Sequence, residues 1–168
     1  MNLRTLNGAD VPAYRTVRLD GLRKHTDCFR TGTEEEPAAG LPTANTDESF
    51  TLGAFTGDND LLGIVSFKRE TRLKLRHHGL VFGMYVSDAV SGQGIGRRLM
   101  NELIRRAAQV QGLEQLTLTV VATNTAAKKL YLSLGFTSFA LHPRAIKDGD
   151  IYRDEEQMIL FLQPFLQP

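Results

Sequence analysis

Hydrophobic positions along this chain switch several times between the two-residue period of a strand and the three-to-four-residue period of a helix. Residues 3–6, "LRTL", read as a short opening strand. Asn7 or Asp10 then caps a helix that runs to about Leu22 or Lys24, with Val11, Tyr14, Val17 and Leu22 on its inner side. Thr33 and Glu36 stand at capping-box spacing, which predicts a short second helix before Pro37 and the loop "AAGLPTANTD". Residues 50–55 and "LLGIVSFKRE" flank the turn "TGDND", an antiparallel hairpin, and "HGLVFGMYV" supplies a third strand.

The second half alternates helix and strand. Ile95, Leu99, Leu103 and Ala107 recur every four residues, Met100, Ile104 and Ala108 widen the stripe, and Arg98, Glu102 and Arg106 lie opposite, so a helix is predicted over 96–111. Gly112 suits its C-terminal end, and "QLTLTVV" is a strand that should join the third strand in parallel. "ATNTAAKKLYLSLGF" forms a further helix closed by Gly135, followed by a strand from Phe136 to about His142. Asp148-Gly149 signals a two-residue hairpin, and "EEQMILFL" is the last strand. The expected fold is α/β (α+β): one domain, 1–168, with a mixed, mostly antiparallel sheet of six to seven strands, helices on both faces and one parallel crossover.

Composition narrows the function more than the fold. Charged residues make up 23% of the 168 residues and the net charge is +1, so no global field draws nucleic acid or an anionic membrane. The basic stretch "KRETRLKLRHH" reads as a solvated turn. No apolar run approaches the roughly 18 residues of a membrane span, and "MNLRTLNGAD" carries no apolar signal core. With a single cysteine, Cys28, there is neither an internal disulfide framework nor a cysteine metal site, and the cytoplasm is the expected compartment. The four histidines show no metal-ligand spacing, so no metal is expected.

The stretch "VSGQGIGRRL" carries the chemistry. Glycines at 92, 94 and 96 permit positive φ and close approach, so successive backbone N–H groups can converge on an anion at a helix N-terminus. Arg97 and Arg98 oppose the helix dipole there by about 0.3 to 1 kcal/mol each, and a bound polyanion reverses that sign. A nucleotide-triphosphate loop would need Gly-Lys-Ser/Thr, and a dinucleotide fingerprint would need a third glycine where Arg97 stands. Both are excluded.

"MYVSDAVSGQGIGRRLM" followed by "NTAAKKLYLSLGF" resembles the GCN5-related N-acetyltransferase family over about residues 84–136. The end of the chain, "PRAIKDGDIYRDEEQMIL", is similar to that of many bacterial members. The resemblance implies an acetyl-CoA-dependent N-acetyltransferase. The backbone N–H groups of Gln93 to Arg97 would hold the pyrophosphate, within a loop bordered by Ser91, Gly92, Gly94, Ile95, Gly96 and Arg98. The backbone of Met84, Tyr85 and Val86 would bond the pantetheine arm, with the N–H of Tyr85 or Val86 aimed at the thioester oxygen. Asn124 and Ala127 would border the cofactor, and Tyr131 would stand beside its sulfur as proton donor.

The chain departs from the family pattern in two places. Ser91 stands where Arg or Gln is usual, and the strand before the loop has no Glu. The general base is therefore open among His77, His78, Asp154, Glu155 and a water molecule. Cys28 has no base or anion site nearby in sequence, which favours direct transfer over an acyl-enzyme. The three acids of "TEEEP" are explained by a helix dipole as readily as by a cationic substrate. The acceptor pocket should come from the first two helices, the loop around 30–48 and the Asp148-Gly149 hairpin. The late strand and the "FLQPFLQP" tail offer an edge for a homodimer. A second reading keeps the acyl-CoA cleft but makes it a non-catalytic sensor.

Overall fold

The structure is a computed structural model that describes residues 1–37 and 39–162. A seven-stranded sheet runs through it in the order β1-β2-β3-β4-β5-β7-β6. The strands are β1 (Asn2–Thr5), β2 (Ser49–Phe55), β3 (Leu61–Arg69), β4 (His78–Val86), β5 (Gln115–Val121), β6 (Thr137–Asp148) and β7 (Ile151–Phe161). All neighbours are antiparallel except β4 and β5, which are joined through the crossover helix α2 (Ile95–Ala107). Helix α1 (Val11–Lys24) covers one face, and α2 with α3 (Thr125–Ser133) covers the other. No helix among the described residues is long and apolar enough to cross a membrane.

The core divides as the pleat dictates. Val65, Phe67 and Val81 pack under Ile95, Leu99 and Leu103 of α2, while Ile64 and Tyr85 pack with Tyr14 and Val17 of α1. Asn7 Oδ1 accepts from the Ala9 N–H at 2.9 Å and Asp10 Oδ2 accepts from the Asn7 N–H at 2.9 Å, so both expected caps act, one turn ahead of α1. Arg4 grips the Asp10 carboxylate with two bonds of 2.7 Å, and holds it below the usual carboxylate range.

Four expectations need correction. Residues 33–36 form a turn instead of a second helix. Glu36, which would have completed the capping box, is drawn to Arg18 Nε at 3.1 Å and Tyr14 at 3.4 Å. Helix α2 ends at Ala107 and not near 111, because Gln109 and Val110 donate to carbonyls three residues back, which tightens the chain and brings Leu113 into the core. Strand β6 continues past His142 to Asp148: Arg144, at φ 54°, absorbs a bulge, and its N–H is held by Asp154 Oδ1 at 2.7 Å. The tight turn falls on Gly149 and Asp150, since Asp148 still pairs with Ile151.

Candidate functional site

Two irregularities in the sheet make the site. The first is a bulge in β4: Ile64 pairs with Tyr85 but Ser66 with Phe82, so one extra residue is inserted at Gly83–Met84, and Gly83 takes φ 63°. Plain alternation from Val81, which faces α2, would put Tyr85 under α2 as well. The bulge reverses the phase. Met84 turns to the α2–α3 face, while Tyr85 turns to α1, where its hydroxyl donates to Asp20 at 2.8 Å. Burial first, and then this bond, push the Tyr85 hydroxyl far above its ordinary range, so it stays protonated.

The second irregularity is a splay. The β4–β5 ladder covers His78↔Gln115, Gly79↔Leu116 and Leu80↔Thr117 and goes no further. Beyond it, β4 keeps its hydrogen bonds to β3 on one side and presents open backbone on the other. A cleft of about 620 Å³ opens there, with Met84, Tyr85 and Val86 along one side and Leu118 to Val120 along the other.

At the mouth of the cleft stands the glycine loop. Gly92 and Gly94 have φ of 77° and 76°, and a Cβ on either would meet nothing within 4 Å, so it is the backbone shape that requires glycine here. Gly94 is the N-cap of α2, and the Arg98 N–H closes the helix bond to Gly94 O at 3.1 Å. The amides of Ile95, Gly96 and Arg97 are left at the open helix end, without a side-chain cap. Ser91 is tied back by its N–H to Asp88 O at 3.1 Å.

The two arginines part company. Arg97 lines the cleft and reaches across to Ser133 Oγ of α3 at 2.9 Å. Arg98 points to the other side, into a surface hollow with Met1 and Leu3. Gln93 is exposed in the loop. The α3 wall carries Asn124, Ala127 and Tyr131, one turn apart from each other or two. Asn124 Oδ1 accepts from the Ala127 N–H at 3.1 Å and so caps α3, leaving the side-chain NH₂ as its remaining donor. The Tyr131 side chain is buried beside Phe136, its hydroxyl 3.7 Å from Met84 Sδ, and burial pushes its pKa up to about 12.

Of the four base candidates, none is free at the cleft. His77 and His78 pack ring against ring at 4.0 Å at the opposite end of β4, about 20 Å of strand from Met84. Asp154 holds the Arg144 N–H. Glu155 is buried on β7, where Arg30 binds both its oxygens at 2.7 and 2.5 Å. The histidine that does line the cleft is His25, at the C-terminal end of α1. Its Nε2 lies 2.9 Å from Asp88 Oδ1. No sequence pattern links two residues 63 apart, so it was missed.

The wall opposite α3 is formed by His25, Cys28 and Phe29 in the turn after α1. Beyond Phe29 lies a second cavity of about 530 Å³, walled by Arg30, Thr31, Lys147, Asp148 and Arg153. It combines the end of α1, the following loop and the β6–β7 hairpin.

Residues 19–136 match the sequence model of the Acetyltransferase (GNAT) family, and the chain belongs to that family. Several solved structures share its fold. A GNAT-family acetyltransferase from Streptococcus pneumoniae is 24% identical, with 95% of this chain and 98% of that one covered at a TM-score of 0.79. A putative acetyltransferase from Salmonella typhimurium, solved with its cofactor acetyl-CoA, is 22% identical over 100% and 97%, at a TM-score of 0.81. A probable acetyltransferase from Staphylococcus epidermidis is 24% identical over 96% and 99%, at 0.77. None of the proteins of curated function matches the chain. Family and fold together define an acyltransferase.

Proposed function

We propose that the protein is an acetyl-CoA-dependent N-acetyltransferase that moves the acetyl group directly from the thioester to a primary amine of a small molecule, peptide or protein. The observation that carries this reading is the splay itself: a cleft with an anion cradle at one end and a buried, protonated phenol further in.

The residues present fit acetyl-CoA. The amides of Ile95 to Arg97 and the positive helix end suit its pyrophosphate, with the Arg97 guanidinium beside it. Below Leu80, β4 has lost its neighbour, so the backbone of Met84 to Val86 can bond a pantetheine arm in the place a strand would take. An N–H freed by the bulge would serve the thioester oxygen, where a donor strengthens as the oxyanion forms, a contribution of about 3 kcal/mol in comparable sites. Tyr131 remains protonated through the physiological range and donates to the departing thiolate. Burial and the neighbouring Asp27 hold the Cys28 thiol above its usual range, and a neutral thiol is a poor nucleophile, which supports transfer without an acyl-enzyme.

The test follows free-thiol release from acetyl-CoA with a panel of primary amines, comparing wild type with Tyr131→Phe. The expected outcome is amine-dependent release that falls about 100-fold in kcat in the variant. Because the hydroxyl's contact with Met84 Sδ is weak, the KM for acetyl-CoA and the melting temperature should barely move. Saturable acetyl-CoA binding without amine-dependent release would instead identify a sensor.

A further inference from the structure

The chemistry above leaves one proton without a protein group to take it. An alkylammonium must lose a proton before attack and the amine a second one as it acylates, yet His77, His78, Asp154 and Glu155 are remote or already engaged. The cleft has a second wall, facing Tyr131 across the gap between β4 and β5, and its one basic side chain among the described residues is His25. With α3 and the glycine loop on one side, that wall is where an acceptor amine would enter.

We propose that His25, oriented by Asp88, is the general base of the transfer, an inference that rests on the N-acetyltransferase reading. Asp88 has only acceptor oxygens, so the 2.9 Å contact makes Nε2 the donor and leaves the lone pair on Nδ1. No hydrogen bond among the described residues occupies Nδ1. The main chain that carries the ring is held on both sides, the His25 backbone N–H donating to Gly21 O at 2.9 Å and its carbonyl accepting from the Cys28 N–H at 2.9 Å, and the Tyr85 ring stands 5.9 Å from the imidazole. The side chain is 39% exposed, which gives the captured proton a route to water.

The charged and titratable groups around it are few. Asp20 and Lys24 on α1 neutralise each other at 2.9 Å, Tyr85 of β4 is protonated and committed to Asp20, the Cys28 thiol is neutral beside the Asp27 carboxylate, and Asp88 supplies the one charge bonded to the ring. This is the arrangement in which a carboxylate holds an imidazole in the productive tautomer and stands beside the imidazolium that forms. In the step itself the amine, its ammonium proton already lost to water, bonds through nitrogen to the thioester carbon, and one N–H proton passes to His25 Nδ1. The C–S bond then breaks, and Tyr131 gives its proton to the leaving thiolate. The imidazolium releases its proton to solvent and the tyrosinate takes one back, so the amine becomes an amide, the thioester a thiol, and no charge is left on the protein.

His25→Gln tests this, because a glutamine amide can still donate to Asp88 while it offers no base. The amine panel is run with acetyl-CoA across pH, and acetyl-CoA affinity is measured separately by calorimetry. The expected result is a kcat about 100-fold lower at neutral pH and loss of the acid limb of the kcat/KM profile. Acetyl-CoA affinity should stay within about two-fold, and Asp88→Asn should lower kcat by at least about 10-fold. A kcat within about three-fold of wild type with the acid limb intact would overturn the assignment while leaving the transferase reading standing. Nitrogen-15 spectra of the wild-type imidazole give an activity-free check: Nε2–H is expected, and an Nδ1–H tautomer would also overturn it. Wild type that releases no thiol with any amine would remove both readings together.

Discussion

Arg97 and Arg98 are adjacent, alike in charge and both at a helix N-terminus where a cation is disfavoured, yet the helix turn sends them in different directions. Arg97 faces the cleft and Ser133, whereas Arg98 faces Leu3. Dissecting them separates a ligand contact from a solvated charge. Arg97→Ala should weaken acetyl-CoA binding by about 5- to 20-fold, the loss expected for one charge-assisted phosphate contact, and flatten its salt dependence. Arg98→Ala should change the affinity by less than about two-fold. Calorimetry at two salt concentrations checks both. From the sequence Arg98 could be placed opposite the apolar stripe, but which of the two meets the cleft could not be read, because the period of a helix fixes relative directions while the absolute phase depends on where the loop delivers the first turn. The same holds for His25 and Asp88, whose pairing needs α1 and the turn after β4 to end at one place.

At the scale of elements, hydrophobic period and turn chemistry were enough to order the strands and helices, and "HGLVFGMYV" and "QLTLTVV" coincide with β4 and β5. What they could not carry was any feature that breaks the period. The β4 bulge contributes one unpaired residue, and its only trace in the sequence is Gly83, one of 15 glycines in the chain. Yet it decides that Met84 and not Tyr85 faces α2 and α3. Gly83→Ala isolates the effect, since a Cβ there would lie 3.7 Å from Ser66 Oγ, with room to spare, and meet only the strain of φ 63°. The variant should lose about 1 to 2 kcal/mol of stability, read from denaturant unfolding. If the strand relieves the strain by shedding the bulge, kcat should fall further than the stability loss alone explains. The long β6 edge was underestimated for a related reason: a bulge at Arg144 lets the strand resume beyond His142, where the alternation stops.

On the scale of the whole molecule, a mostly antiparallel sheet parts between β4 and β5, and Tyr131, Asn124, Arg97, the glycine loop and His25 gather there. Among the described residues the β4–β5 pair is the only parallel one, held by three register positions, and its parting gives the cleft two walls on opposite faces of the sheet. The α3 wall brings the buried phenol and the glycine loop brings the anion cradle, while the wall after α1 brings an imidazole and opens towards a second, strongly charged cavity. On the proposed N-acetyltransferase reading, cosubstrate and acceptor would approach the reacting carbon from different sides without crossing. The most direct measurement is the amine panel read at both ends of the reaction: free thiol released from acetyl-CoA, and acetylated amine by mass spectrometry. The account predicts at least one primary amine that yields the two products in equal amounts, saturably in both substrates. Acetyl-CoA that binds at micromolar concentration but is never consumed, whatever amine is offered, would contradict it.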